Sequence, residues 1–212
     1  RQYEGDFGKH IDAKTLPRIR MVWDSIPMQL AKENKKFFFG QIKKGARSTD
    51  FEIAIQWLLD CGLVYKVNRV NEPHMPLKAY MNMSAYKLFM LDVGLLGALS
   101  ELTAETILEG NDIFIGFKGA LTEQYVLQQL ISDTDYTPYY YGTDKATFEQ
   151  DFLIQKERNI VPIEVKAETN IHSQSLKAYC DKFHPEEAVR FATLKYKNQE
   201  LMLNIKVFAG RR

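Results

Sequence analysis

The sequence predicts an α/β protein of the α+β kind, in which a helical unit and a short ribbon precede a sandwich of helices on a sheet. Three observations predict it. Residues 17–60 place apolar side chains at helical spacing in two stretches. Residues 63–91 then switch to strand-like runs interrupted by Pro73 and Pro76. From Phe117 onward, helical stretches alternate with short apolar runs in the order helix, strand, strand, strand, helix, strand, strand, as expected when helices cover a sheet.

Each element has a local reason. Pro17 suits a first helical turn, and Ile19, Val22, Trp23, Ile26 and Leu30 mark one face of a helix over 17–32. Pro27 is expected to kink or divide that helix, because it lacks the N–H that the ladder needs. The apolar run Phe37-Phe38-Phe39 leads to a basic turn, Lys43-Lys44-Gly45. Thr49 or Asp50 is placed to cap a second helix, 51–60, with Phe51, Ile55, Leu58 and Leu59 inward and Gly62 as its stop. Residues 63–70 alternate like a strand, and a second extended run begins at Leu77. Helices followed by a two-stranded ribbon suggest a winged-helix-like segment, assigned to residues 1–85. Residues 87–91 read as a separate short strand and 95–109 as an acidic helix, with 111–116 as a connector. The second unit, 86–212, continues with a helix over 117–132 and strands over 138–141, 147–155 and 160–167. Ser173 and Ser175 offer caps for a helix reaching Phe183, and strands over 188–194 and 201–208 close the chain.

Composition narrows the function. The net charge of +1 gives no global nucleic-acid signal, but residues 1–50 carry eleven bases against six acids, which makes a basic front able to attract phosphates. Cys61 and Cys180 have no second Cys or His at ligand spacing, so both read as free thiols in a reducing, cytoplasmic setting. No stretch is long and apolar enough for a membrane span. The four histidines, His10, His74, His172 and His184, lie in no nucleophile motif. The glycine spacing over 40–48 imitates a phosphate loop, yet Ala46 stands where the loop lysine is required. The patternless start at Arg1 fits a piece of a longer protein.

Candidate chemistry sits in the second half. Read as a hairpin with the polar turn Lys156-Glu157-Arg158-Asn159, residues 147–167 set Asp151 opposite Glu164, with Cβ atoms roughly 5 Å apart. Two carboxylates that close do not both ionise cheaply, and a divalent cation such as Mg²⁺ removes the conflict. Lys166 follows Glu164 by two residues, so it shares that strand face and can orient a water or stabilise charge on a phosphate. Glu123 has Gly119, Ala120, Val126 and Leu127 as helical neighbours, an unusual setting for a surface acid. Pro162 argues against a central strand unless it stands at a start or bulge. Tyr136, Tyr139, Tyr140 and Tyr141 could stack on bases, but strand packing explains them more simply.

Glu123, the run Phe148-Glu149-Gln150-Asp151-Phe152-Leu153-Ile154 and the run Pro162-Ile163-Glu164-Val165-Lys166 resemble the PD-(D/E)xK nuclease superfamily. More closely, the chain resembles the C-terminal domain of unknown function that follows an AAA+-type ATPase core in many bacterial and archaeal proteins. Lys87 to Leu96, Gly119 to Glu123, Ser175-Leu176-Lys177 and Leu203-Asn204-Ile205 add to the likeness, which runs from about Phe37 onward. The resemblance implies a restriction-endonuclease-like αβββαβ sandwich after the winged-helix-like segment. It implies Glu123, Asp151, Glu164 and Lys166 as catalytic residues, with Asp151, Glu164 and Glu123 holding Mg²⁺ or Mn²⁺. ATP would belong only to the N-terminal core outside this chain, and DNA would be the partner of an endonuclease-like hydrolase. Gln150 stands where relatives often carry an apolar residue, a departure that leaves the acids untouched. The alternative is a non-catalytic module that binds nucleic acid or protein, or self-associates to regulate the ATPase. In that case the basic stretch Lys32 to Arg47 would make the contacts.

Overall fold

The computed structural model describes residues 11–103, 106, 115–142, 148–167, 174–192, 197–199 and 202–206. The first helix, α1 (Leu16–Leu30), buries Ile19, Val22, Trp23, Ile26 and Leu30 almost completely. Pro27 lies inside it without dividing it. The missing donor falls near the C-terminal end, where the apolar face on either side keeps the helix packed. Gln29, one turn from Ser25, donates to the Ser25 hydroxyl at 3.1 Å and accepts from the Phe38 N–H at 2.6 Å, so the connector is held to the helix.

Phe39–Ile42 forms the short helix α2 rather than a plain apolar run. A 3₁₀ turn, Ser48–Asp50, precedes α3 (Glu52–Asp60). Neither Thr49 nor Asp50 caps α3: the Asp50 carboxylate accepts instead from the Arg47 N–H at 2.9 Å, and Phe51 occupies the cap position. Gly62 ends the helix as expected, with φ of 66°, a left-handed conformation that glycine adopts without strain.

Strand β1 (Val64–Val70) pairs antiparallel with β2 (Met81–Met90), which follows a 3₁₀ turn at Leu77–Tyr80. The expected second ribbon strand and the expected separate strand at 87–91 are therefore one element. The register shifts where Asn68 pairs with Tyr86 but Arg69 with Asn82, and this irregularity breaks the alternation that the sequence displays. The expected unit junction between residues 85 and 86 falls inside β2.

Asp92 caps α4 (Val93–Leu99) by accepting from the Leu95 N–H at 2.7 Å. Then come α5 (Ile115–Asp133), β3 (Tyr139–Tyr141), β4 (Gln150–Lys156), β5 (Asn159–Lys166), α6 (Gln174–Phe183) and β6 (Ala188–Ala192). β7 (Lys197–Gln199) and β8 (Met202–Lys206) follow. β7 was not foreseen, because Lys-Asn-Gln has weak strand propensity; it lies at the sheet edge, where polar strands are common. The expected acidic helix over 95–109 ends instead at Leu99, with Ser100 as its C-cap and Glu101 at φ 55°. Residues 104, 105 and 107–109 of that expectation, the connector up to residue 114, the strand starts at Thr147 and Leu201, the strand ends at Leu194 and Phe208, and His10, His172 and Ser173 lie outside the described residues.

One mixed sheet of eight strands runs through the described chain in the order β2-β1-β3-β4-β5-β6-β8-β7. The protein is thus a mixed α/β fold, and the ribbon is continuous with the main sheet through the parallel pairing of β1 with β3. Helices cover both faces. The larger core joins α1, α3 and α5 to Val161, Ile163 and Val165 of β5. The smaller joins Tyr179 of α6 to Tyr139, Tyr141 and Leu153. Pro162 is tolerated in β5 because it pairs with Leu153 on one side, and the parallel ladder to β6 begins only at Ile163. Among the described residues, no helix is long and apolar enough to cross a membrane.

Leu58 in α3 is fully buried beneath the ribbon. Leu58→Ala is expected to lower unfolding stability by about 2–5 kcal/mol, read as a lower urea midpoint at constant slope. A loss below about 1 kcal/mol would show that α3 is not part of the cooperative core.

Candidate functional site

Helix α5 is fixed before its acid is considered. The Gln124 amide accepts from the Met90 N–H at 2.9 Å and donates to the Met90 carbonyl at 2.8 Å, and Gln128 accepts from the Val93 N–H at 3.1 Å. Val126 and Leu127 are buried in the larger core. These contacts hold Glu123 at the end of β2 with only 5% of its surface exposed. One Glu123 oxygen meets the Lys35 ammonium, which reaches in from the connector after α1. The other, Oε2, is buried with no hydrogen-bond partner among the described residues.

The β4–β5 hairpin has the expected register, with Lys156 opposite Asn159 and Phe152 opposite Ile163. Regular pairing stops there, one step short of Asp151 and Glu164. On its other edge β4 bulges: Tyr139 pairs with Leu153 but Tyr141 with Gln150, so β4 spends one residue more than β3. The bulge re-aims Asp151, whose carboxylate accepts from the Val165 backbone N–H at 2.8 Å. It is Gln150, fully buried, whose side chain donates to Glu164 at 3.1 Å. Gln150 therefore does touch the acids, contrary to the expectation that its departure left them unaffected. Glu164 and Lys166 share a strand face, as the two-residue spacing requires, and meet at 2.9 Å.

Electrostatics join the segments. Asp151 keeps some exposure as a residue, yet burial of its carboxyl raises its pKa well above the ordinary value, and Glu123 and then Glu164 push it further; Lys87 and Lys35 oppose them. The Lys87 side chain is 1% exposed, pairs with Glu149 at 2.6 Å and lies 4.7 Å from the Tyr140 ring centre. Burial works against its charge, but Glu149, Glu123 and Asp151 together outweigh burial and leave its pKa above the ordinary value. Burial also opposes the charge of Lys166, and attraction to Glu164 and then to Asp151 overcomes it, with the net pKa raised. Arg190 stands across from Glu164 on β6; burial lowers its pKa while Glu164 favours its charge.

Glu123, Asp151, Glu164 and Lys166 thus lie within one electrostatic neighbourhood. Among the described residues, however, no three His, Cys, Asp or Glu side chains form a ready-made metal cage. Each expected ligand has turned an oxygen to a lysine or an N–H. The donor set still suits a hard divalent cation: all oxygen, one carboxylate oxygen without a partner, and one carboxyl whose ionisation its neighbours oppose. Lys35, Lys87, Glu149 and Gln150 were missed as contributors. Lys87 carried a signal, a lone cation within Tyr86-Lys87-Leu88-Phe89-Met90, since lysine is almost never fully buried unless paired. Lys35, within a solvated run of charges, carried none. Tyr139, Tyr140 and Tyr141 are all buried, and Tyr141 packs on Phe148, Tyr179 and Phe183, so packing accounts for them.

Fold and site define an α/β protein with a buried acidic cluster at one end of a mixed sheet. The chain belongs to the family described as a domain of unknown function, DUF8612, whose model matches residues 1–106, half of its 212 residues. A second family model, a domain of unknown function, DUF4143, matches residues 118–206. No curated protein and no solved structure matches the chain.

The raised pKa of Asp151 has a sign that can be checked. A carboxyl whose folded pKa lies above its unfolded value contributes stability that is full below the unfolded value and is lost as pH rises through the folded one. Asp151→Asn keeps an acceptor for Val165 and removes the charge. Without divalent cations, its melting temperature should match that of the wild type near pH 4 and exceed it increasingly toward pH 8, at roughly 2–4 °C per kcal/mol relieved. A constant difference across that range would show that Asp151 is not held in a charge-averse site.

Proposed function

We propose that the chain carries a nuclease-like domain that uses a divalent metal to act on phosphodiesters, with DNA as the substrate class, in the C-terminal part of an AAA+-type ATPase. The observation that supports this reading most is the gathering of Glu123, Asp151 and Glu164 from three separate segments around one hairpin, with Lys166 beside Glu164. The match of residues 118–206 to DUF4143 agrees with the resemblance to domains that follow such ATPase cores.

On this reading Asp151, Glu164 and Glu123 would hold Mg²⁺ or Mn²⁺, which neutralises phosphate charge and lowers the pKa of a bound water. Gln150 fixes the Glu164 carboxylate through its amide. Lys166, with its raised pKa, stays an ammonium through neutral pH. It is therefore a donor to water or phosphate oxygens rather than a base. The larger core would form the scaffold, and residues 1–85 would serve as the winged-helix-like segment.

A specific observation favours a second reading, a non-catalytic nucleic-acid or protein-binding module. Lys35, Lys87 and Lys166 already neutralise three of the nearby acids. Such a module would bind DNA with a steep salt dependence and no cleavage. Lys43 and Lys44 are exposed and available for such contacts.

Two measurements separate the readings. Calorimetry with Mn²⁺ should give binding heat for the wild type and none for Asp151→Ala. Cleavage of a DNA substrate should fall by about 10²–10³ in Lys166→Ala. Cleavage unchanged in Lys166→Ala, or heat unchanged in Asp151→Ala, would remove these residues from the chemistry. DNA binding without cleavage in any divalent ion would establish the second reading.

A further inference from the structure

The acidic neighbourhood lies on α5, β4 and β5, within the stretch matched by DUF4143, but two of its cations come from the stretch matched by DUF8612. The two are held very differently. Lys87 sits within strand β2, fully buried, bonded to Glu149 and facing the Tyr140 ring. It cannot leave without opening the sheet. Lys35 lies outside any helix or strand, after the exposed residues Lys32, Glu33 and Asn34. Only its four-carbon stem carries the ammonium inward to Glu123, and such a stem can rotate its charge to water without backbone change. The connector itself is fixed just beyond, where the Phe37 N–H donates to the Tyr86 carbonyl at 2.8 Å.

We infer that Lys35 is a displaceable counter-cation of the acidic site: its ammonium holds the place at Glu123 that a divalent ion must take, so ion binding and the Lys35–Glu123 contact exclude each other. This rests on the metal-binding reading of the site. Glu123 supports it, because the ion pair engages one carboxylate oxygen and leaves the buried Oε2 without a partner among the described residues. A lysine satisfies Glu123 only in part, whereas a dication gripped by both carboxylate oxygens would satisfy it fully and would have to take the place of the ammonium. The N-terminal unit would then sense the state of the C-terminal site directly, since filling the site releases Lys35 to the surface. By linkage, whatever anion captures Lys35 on the surface would favour metal binding by the same factor.

The test is calorimetric titration with MnCl₂ of the wild type, Lys35→Met and Lys35→Arg, with thermal unfolding in EDTA and in Mn²⁺. Lys35→Met should bind Mn²⁺ about tenfold or more tightly than the wild type, be less stable in EDTA, and gain more melting temperature from Mn²⁺. Lys35→Arg, which keeps the charge, should bind as weakly as the wild type or more weakly. Equal affinity in wild type and Lys35→Met would overturn the inference while leaving the metal site standing. Binding lost in Lys35→Met would also overturn it, by making the lysine a requirement. No Mn²⁺ response in any of the three would remove the metal reading and this inference together. Should Lys35→Met fail to fold, Lys35→Gln, which keeps a hydrogen-bond donor for Glu123 without the charge, carries the same expectations.

Discussion

The ammonium of Lys87 is buried in a strand, and an isolated charge there would cost several kcal/mol. It persists because Glu149 lies at 2.6 Å, the Tyr140 face is adjacent, and Glu123 and Asp151 add attraction from further off. Those partners come from the far side of the family division, beyond residue 118, whereas Lys87 comes from before residue 106. Neither half can bury its share of the cluster alone. The continuous sheet follows the same logic, with β1 paired to β3 by parallel backbone bonds across that division. The acidic neighbourhood is therefore less a site resting on one domain than the place where the two halves neutralise each other.

What was legible in the sequence was periodic. The inner faces of α1 and α3, the hairpin register of β4 and β5, and the two-residue spacing of Glu164 and Lys166 all follow from 3.6-residue and two-residue repeats. The departures are aperiodic. The irregular step after Asn68 made one strand, β2, look like two, and beside the bulge in β4 the Asp151 carboxylate accepts from the Val165 N–H. A bulge is one unpaired residue, and nothing in Gln150-Asp151-Phe152 marks it in advance.

The positions of the candidate acids could be read from their motif, but their partners could not. Asp50 looked like a helix cap and bonds Arg47 instead, because a 3₁₀ turn brings that N–H closer. Gln150 looked neutral and is fully buried against Glu164. Lys35 looked like part of a solvated basic stretch, and only the packing of α1 and α5 around β2 brings it to Glu123. Two of these three misses, Gln150 and Lys35, involve long side chains whose reach exceeds what sequence spacing constrains.

The way the cations are distributed bears on what the cluster can do. Lys35 answers Glu123, Lys87 answers Glu149 and Lys166 answers Glu164. Among the described residues, Asp151 is the nearby acid left with a backbone N–H instead of an ammonium. The cluster is close to neutral in sum and unbalanced at one point: burial, then Glu123 and Glu164, raise the pKa of Asp151 well above the ordinary carboxyl value. On the proposed reading, a compact dication would serve several of these oxygens at once, because its charge is not tied to the backbone. The structure places Asp151, whose ionisation burial and two acids oppose, near Glu123 and its Lys35 partner, and on the proposed reading exchanging that lysine for a metal would lessen the repulsion among the carboxylates.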